Sequence, residues 1–95
     1  MVENTVSSKT ASLVMTVQLE HGLHARPAAR LARAAQGSKS VIRLVTKTGE
    51  AEASSLLDIL SLGLSYGREV RIEAEGPDAE EAVQMTAQAL TSDQE

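Results

Sequence analysis

The sequence predicts an α+β open-faced sandwich, a four-stranded antiparallel sheet with three helices on one face in the order β-α-β-β-α-β-α. Three stretches carry that reading. From Glu69 to Glu75, the apolar Val70, Ile72 and Ala74 alternate with Glu69, Arg71, Glu73 and Glu75, so one sheet face is wet and the other has to be covered. Between about Ala25 and Gln36 strong helix formers place Ala28, Leu31, Ala32 and Ala35 on one stripe. A second helical stripe, Ala79, Val83, Thr86 and Leu90, follows Gly76-Pro77-Asp78.

The elements follow in order. Residues 1–10 are polar and patternless and read as a flexible N-terminal arm, ahead of one domain at 11–90 and a polar tail at 91–95. Leu13, Met15, Val17 and Leu19 alternate with smaller or polar residues, as in a half-buried first strand. His21 to Leu23 forms a loop, and the first helix ends at Gly37, a natural left-handed terminator. Strands at Ser40–Thr46 and Glu50–Ala53 flank a turn at Lys47-Thr48-Gly49. Ser54 or Ser55 caps a short helix running to about Leu60, which Leu62-Gly63-Leu64 closes. Tyr66-Gly67 turns into the last strand, and Asp78 with Glu81 forms a capping box for the final helix. The pattern alone leaves a ferredoxin-like module open.

Composition narrows the function. A chain of 95 residues with 42% apolar content suits one domain, and with no Phe or Trp and a single Tyr its core is aliphatic. The absence of cysteine removes disulfide and thiolate chemistry, and no apolar N-terminal run marks a signal peptide or span, which points to the cytoplasm. A net charge of −4 with almost no aromatics argues against general nucleic-acid binding.

The run Gly22-Leu23-His24-Ala25-Arg26-Pro27-Ala28 is where chemistry concentrates. Pro27 costs nothing inside a first turn and pre-sets its φ, so the helix begins at His24 to Pro27. A helix start offers unpaired N–H groups and the positive end of the macrodipole, worth about 0.3–1 kcal/mol to an exposed anion. In that field a neutral His24 imidazole can attack phosphorus, and Arg26 can neutralise the phosphoryl oxygens while no nearby base activates water. Taking up a phosphoryl group and holding it is the work of a carrier, not of a stand-alone catalyst.

These residues resemble the active-centre motif of the HPr family, the histidine phosphocarrier proteins of the bacterial phosphoenolpyruvate-dependent phosphotransferase system. A second stretch, Ser54-Ser55-Leu56-Leu57-Asp58-Ile59-Leu60-Ser61-Leu62-Gly63-Leu64, also resembles that family, and the similarity extends from about Ala11 to Leu90. The resemblance implies an HPr-like sandwich, phosphoryl transfer from phospho-enzyme I to Nδ1 of His24, and onward transfer to sugar-specific enzyme IIA proteins or domains. It implies that Arg26 contacts the phosphoryl group, that the carrier is a cytoplasmic monomer serving sugar transport, and that it needs no cofactor. It also marks Ser55 for regulatory phosphorylation by an HPr kinase/phosphorylase, although Ser55 is fully explained as a helix cap. Asp58 departs from the family, where glycine or lysine is common, and its charge would oppose both a phosphate at Ser55 and an acidic partner.

Arg26, Arg30 and Arg33 share one helix face beginning beside His24, which reads either as a solvated face or as a docking ridge for acidic partners. Three leucines on one short helix cannot all point inward, so Leu56 and Leu60 are assigned to an exposed partner-binding patch, as the resemblance implies. His21 and His24 straddle a loop without cysteine, which leaves metal binding unsupported, and Pro27 is structural. Two other functions stay open: an HPr-like regulatory module signalling by its phosphorylation state, in nitrogen-related or transcriptional control, and a small phosphatase. The phosphatase lacks a carboxylate in the motif to serve as acid.

Overall fold

The sheet comes from three antiparallel pairings, of which only that of the second and third strands is a hairpin, between strands whose side chains alternate between core and water. A computed structural model describes residues 9–92, with elements β1 (Lys9–Thr16), α1 (Ala25–Gln36), β2 (Val41–Thr46), β3 (Gly49–Glu52), α2 (Leu56–Ser61), β4 (Glu69–Gly76) and α3 (Ala79–Ala89). All pairings are antiparallel in the order β1-β4-β2-β3, with Leu13 opposite Ile72, Leu44 opposite Ile72 on the other side, and Arg43 opposite Glu52. β1 opens at Lys9, so Lys9 and Thr10, expected in the arm, belong to the sheet. Expectations for residues 1–8 and 93–95 fall outside the described residues.

β4 is the spine. Its Val70, Ile72 and Ala74 are buried beneath the helices together with Ile42 and Leu44 of β2, while Arg71 and Glu75 face water. The core is aliphatic: Leu31 and Ala28 of α1, Ile59 of α2, and Ala79, Val83, Thr86 and Leu90 along α3 close over it. Each large side chain so buried contributes about 1.5–3 kcal/mol. Thr86 loses no hydrogen bond by its burial, because its hydroxyl donates to the Ala82 carbonyl at 2.8 Å. On the open face Arg43 lies 3.7 Å from Glu50 and 3.8 Å from Glu73, and Arg71 lies 3.0 Å from Glu73. At such exposure each pair is worth about 0–1 kcal/mol, so the ladder sets register and solubility more than stability.

Two local expectations are corrected. Gly37 ends α1 without entering the left-handed region: its φ is −86°, and the last turn tightens, the Gly37 and Ser38 N–H groups donating to Ala34 and Ala35 at 3.1 Å. The capping box on α3 does not form, because the Asp78 carboxylate makes no bond to its own helix. It accepts instead from Ser38 Oγ at 3.2 and 3.3 Å, from the Lys39 N–H at 3.1 Å and from Ser40 Oγ. Asp78 thus fastens the α1–β2 connection to the start of α3, where three donors outcompete the helix's own N–H groups.

Those bonds have a pH signature. The Ser40 hydroxyl and then the Lys39 N–H hold the Asp78 carboxyl below its ordinary value, against an opposing contribution from burial. A carboxyl depressed in the folded state stabilises above its unfolded pKa, and the contribution is lost as pH falls through the folded one. Asp78→Asn is therefore expected to lower Tm at pH 7, with the gap to wild type closing as pH drops below about 4. Thermal melts across that range check this; a gap that stays constant would contradict it.

Candidate functional site

His24 is the N-cap residue of α1, with extended φ and ψ of −92° and −169°, and its carbonyl accepts the first helical bond from the Ala28 N–H at 2.9 Å. Its side chain makes no capping bond and it is exposed, so the imidazole is not committed to holding the helix start. Ala25 and Arg26 follow as first-turn residues whose backbone N–H groups have no acceptor within an α-helix, and Pro27, buried, has no N–H to leave unmet. No acidic residue occupies this first turn, so nothing there offsets the positive helix end.

The loop ahead of His24 is pinned. Gly22 donates to the Leu19 carbonyl at 2.9 Å and Leu23 to the Leu64 carbonyl at 2.8 Å. The backbone at Gly22 has φ +75°, and a Cβ there would sit 2.9 Å from the Leu64 oxygen and 3.1 Å from Ser65 Cα, so only glycine brings these two loops into contact without strain. At the other end of α1, Gln36 Nε2 donates to the Ser54 carbonyl at 2.9 Å. α2 therefore runs antiparallel beside α1, its end next to His24 and its start next to the C-terminus of α1.

That pairing sorts the remaining candidates. Arg26, Arg30 and Arg33 are all exposed, opposite the buried Pro27, Ala28, Leu31, Ala32 and Ala35, so the basic ridge is a surface feature leading away from His24. On α2 only Ile59 is buried; Leu56 and Leu60 are a little over one-third exposed, and Leu57, not among the residues expected in the apolar patch, is 77% exposed. Six residues make too few turns to declare a face, and only the buried Ile59 settles which side turns inward. Ser55 is the N-cap of α2, its Oγ accepting from the Asp58 N–H at 3.3 Å. It lies near the C-terminal end of α1, a helix of about 18 Å at 1.5 Å per residue, and so stands apart from His24. His21 is exposed in the pinned loop. Among the described residues no group of three or more His, Cys, Asp or Glu is placed to hold a metal ion, and no helix is long and apolar enough to cross a membrane.

Comparison with known proteins agrees with this geometry. Residues 11–92 match the family described as PTS HPr component phosphorylation site. The chain is similar to a multiphosphoryl transfer protein of Haemophilus influenzae, 39% identical over 80 residues that make up 81% of this chain and 16% of that protein. It is similar also to phosphocarrier protein HPr of Vibrio cholerae, 41% identical over 68 residues, covering 72% of this chain and 80% of the relative. The crystal structure of a phosphocarrier protein HPr from Bacillus anthracis superposes with a TM-score of 0.81 at 32% identity, over 85% of this chain and 96% of that one. The chain thus spans less than a quarter of the multiphosphoryl transfer proteins it matches, 16% of one and 22% of another, and most of the shorter phosphocarrier protein HPr.

Proposed function

Because this chain belongs to the HPr family of the phosphotransferase system, we propose that His24 accepts a phosphoryl group from phospho-enzyme I and passes it to enzyme IIA proteins or domains. The observation that carries this reading is an exposed histidine that caps a helix without using its side chain, followed two residues later by an arginine. In the forward step an imidazole nitrogen of His24, Nδ1 by resemblance, forms a bond to phosphorus while the bond to the donor breaks, and the three remaining oxygens stay on phosphorus. The first-turn N–H groups and the Arg26 guanidinium meet the charge on those oxygens. With no carboxylate in the motif to activate water, the phosphohistidine persists long enough to be handed on. The reverse geometry serves transfer to the acceptor, because the same donors hold the group while its bond to nitrogen breaks.

The Arg26–Arg30–Arg33 ridge and the leucines of α2 flank His24 on adjacent helices, which suits docking by partners acidic around an apolar centre. A phosphate on Ser55 would add a dianion at the far end of this surface, and so would weaken docking without reaching the phosphoryl site. Asp58, exposed in the first turn of α2, already places one negative charge there.

Incubation with phosphoenolpyruvate and enzyme I, followed by intact mass and phosphorus NMR, tests the reading. One acid-labile phosphoryl adduct that survives at neutral pH and discharges on addition of an enzyme IIA supports it. Failure to form an adduct, or rapid hydrolysis without an acceptor, would overturn it. Arg26→Ala is expected to slow adduct formation by about 10²–10³-fold, the effect of removing one donor to a developing oxyanion. Rapid-quench kinetics measure this, and Arg26→Lys is expected to recover part of the rate through charge alone.

A further inference from the structure

The backbone around His24 has two anchors, and only one of them belongs to its helix. On the helix side the His24 carbonyl accepts from the Ala28 N–H at 2.9 Å; on the other side the preceding Leu23 N–H donates to the Leu64 carbonyl at 2.8 Å. Leu64 is itself held from behind. Ser65 to Arg68 forms a tight turn, the Arg68 N–H donating to the Ser65 carbonyl at 3.0 Å with Gly67 at φ +84°. Both backbone groups of Val17, just past β1, fasten that turn: its N–H donates to the Arg68 carbonyl at 2.9 Å and its carbonyl accepts from Gly67 at 2.8 Å. The next N–H, of Gln18, donates to the Leu90 carbonyl at the end of α3, at 2.9 Å. The sheet and α3 thus fix the turn, the turn fixes Leu64, and Leu64 fixes the residue before the histidine.

Two glycines flank this bond, and they are glycine for different reasons. Gly63, one residue before Leu64, has φ +62°, but a Cβ added to it would meet nothing within 4 Å. Its demand is for the backbone angle alone. Gly22, one residue before Leu23, has φ +75°, and its added Cβ would press on the backbone of the facing loop, on the Leu64 oxygen and on Ser65 Cα. Its demand is for the angle and for the contact.

From this geometry we infer that Gly22 is a positioning residue for phosphoryl transfer, its missing side chain letting Leu23 reach Leu64 so that the backbone of His24 is fixed against the first turn of α1. The inference rests on His24 being the phosphoryl acceptor. A phosphoryl group on the imidazole has to meet the first-turn N–H groups and the Arg26 guanidinium at hydrogen-bond distance, and those donors move with α1. His24 lies half outside the helix as its N-cap, in an extended conformation that the helix bond alone does not impose. The bond from Leu23 to Leu64 supplies the missing constraint. Misplacing reacting groups by about 1 Å can cost about a hundredfold in rate, so a side chain that parts the two loops slows the transfer without touching the reacting atoms.

The test compares phosphoryl acceptance from enzyme I charged with phosphoenolpyruvate for wild type, Gly22→Ala and Gly63→Ala, at a temperature where circular dichroism shows each chain folded. Both substitutions are expected to lower Tm, because each places a side chain at a positive φ. Only Gly22→Ala is expected to lose rate. Its kcat should fall about ten- to hundredfold at unchanged KM for phospho-enzyme I, since the arginine ridge and the leucines of α2 are untouched. Should Gly22→Ala fail to fold, a synthetic chain with an ester in place of the Leu23 amide deletes that N–H alone, and the same fall in kcat is expected of it. Equal kcat in Gly22→Ala and Gly63→Ala, or a change confined to KM, would overturn the inference while leaving His24 as the acceptor. No adduct on the wild-type chain would overturn the proposed function and this inference with it.

Discussion

Replacing His24 by alanine is expected to abolish the phosphoryl adduct altogether while moving Tm by no more than a few degrees. The separation follows from how His24 holds its helix. Its backbone carbonyl takes the Ala28 N–H, a bond alanine makes equally well, and its side chain makes no capping bond. An exposed substitution of this kind costs about 0.5 kcal/mol or less. The chemistry has no such substitute, because the imidazole nitrogen is itself the atom that forms the bond to phosphorus and no neighbouring side chain can replace it as nucleophile. His21→Ala is the matched control, expected to accept phosphate at the wild-type rate, since His21 lies ahead of the helix mouth. Intact mass after incubation with enzyme I reads both variants; an adduct persisting in His24→Ala would move the site elsewhere.

Gly76→Ala is expected to remove a large share of the stability. Gly76 ends β4 with φ at +152°, and an added Cβ would lie 2.5 Å from Ser40 Oγ and 2.6 Å from Ser40 Cα. A side chain could swing aside; the Cα cannot, and Ser40 is further held by its bond to Asp78. Strain at an unfavourable backbone conformation costs about 1–3 kcal/mol, and forcing atoms into a filled site about 1–3 more. Against the roughly 5–15 kcal/mol total of a native domain, and at about 4–8 °C of Tm per kcal/mol, melts should shift down by ten degrees or more. Gly37→Ala is the contrast. Gly37 has an ordinary helical φ and a new Cβ there would meet the Ala34 oxygen at 3.6 Å, an ordinary contact, so the change is expected to be neutral or stabilising by about 0.4–1 kcal/mol. A Gly76→Ala melt within a few degrees of wild type would refute the packing argument.

The parts of the fold that could be read from residues alone are those where local chemistry and tertiary demand coincide. The alternation in β4 survives because the helices cover one face of this interior strand and leave the other to water, and the stripe of α1 coincides with its buried residues because a twelve-residue helix turns often enough to show one. The helix mouth at His24 was legible through Pro27 and the alanines that follow. Asp78 was not, since its three donors come from residues about forty positions earlier, beyond the reach of any local capping rule. Nor was Leu57 separable from Leu56 and Leu60 by spacing, because on α2 the single inward residue, Ile59, is chosen by the core and not by the pattern. The clasp between Leu23 and Leu64 joins residues far apart in sequence, and only folding reveals that it sets the end of α2 beside the histidine.

That clasp has an optical consequence. The only aromatic residue, Tyr66, stands two positions beyond Leu64 and is 68% exposed, while the core contains none. Its emission therefore reports on the rim of the histidine loop and hardly at all on the packed interior. A partner that settles over His24 should dim or brighten this one ring, whereas unfolding, which takes it from water to water, should leave it nearly unchanged. The molecule comes with a native fluorophore for docking, readable without a label.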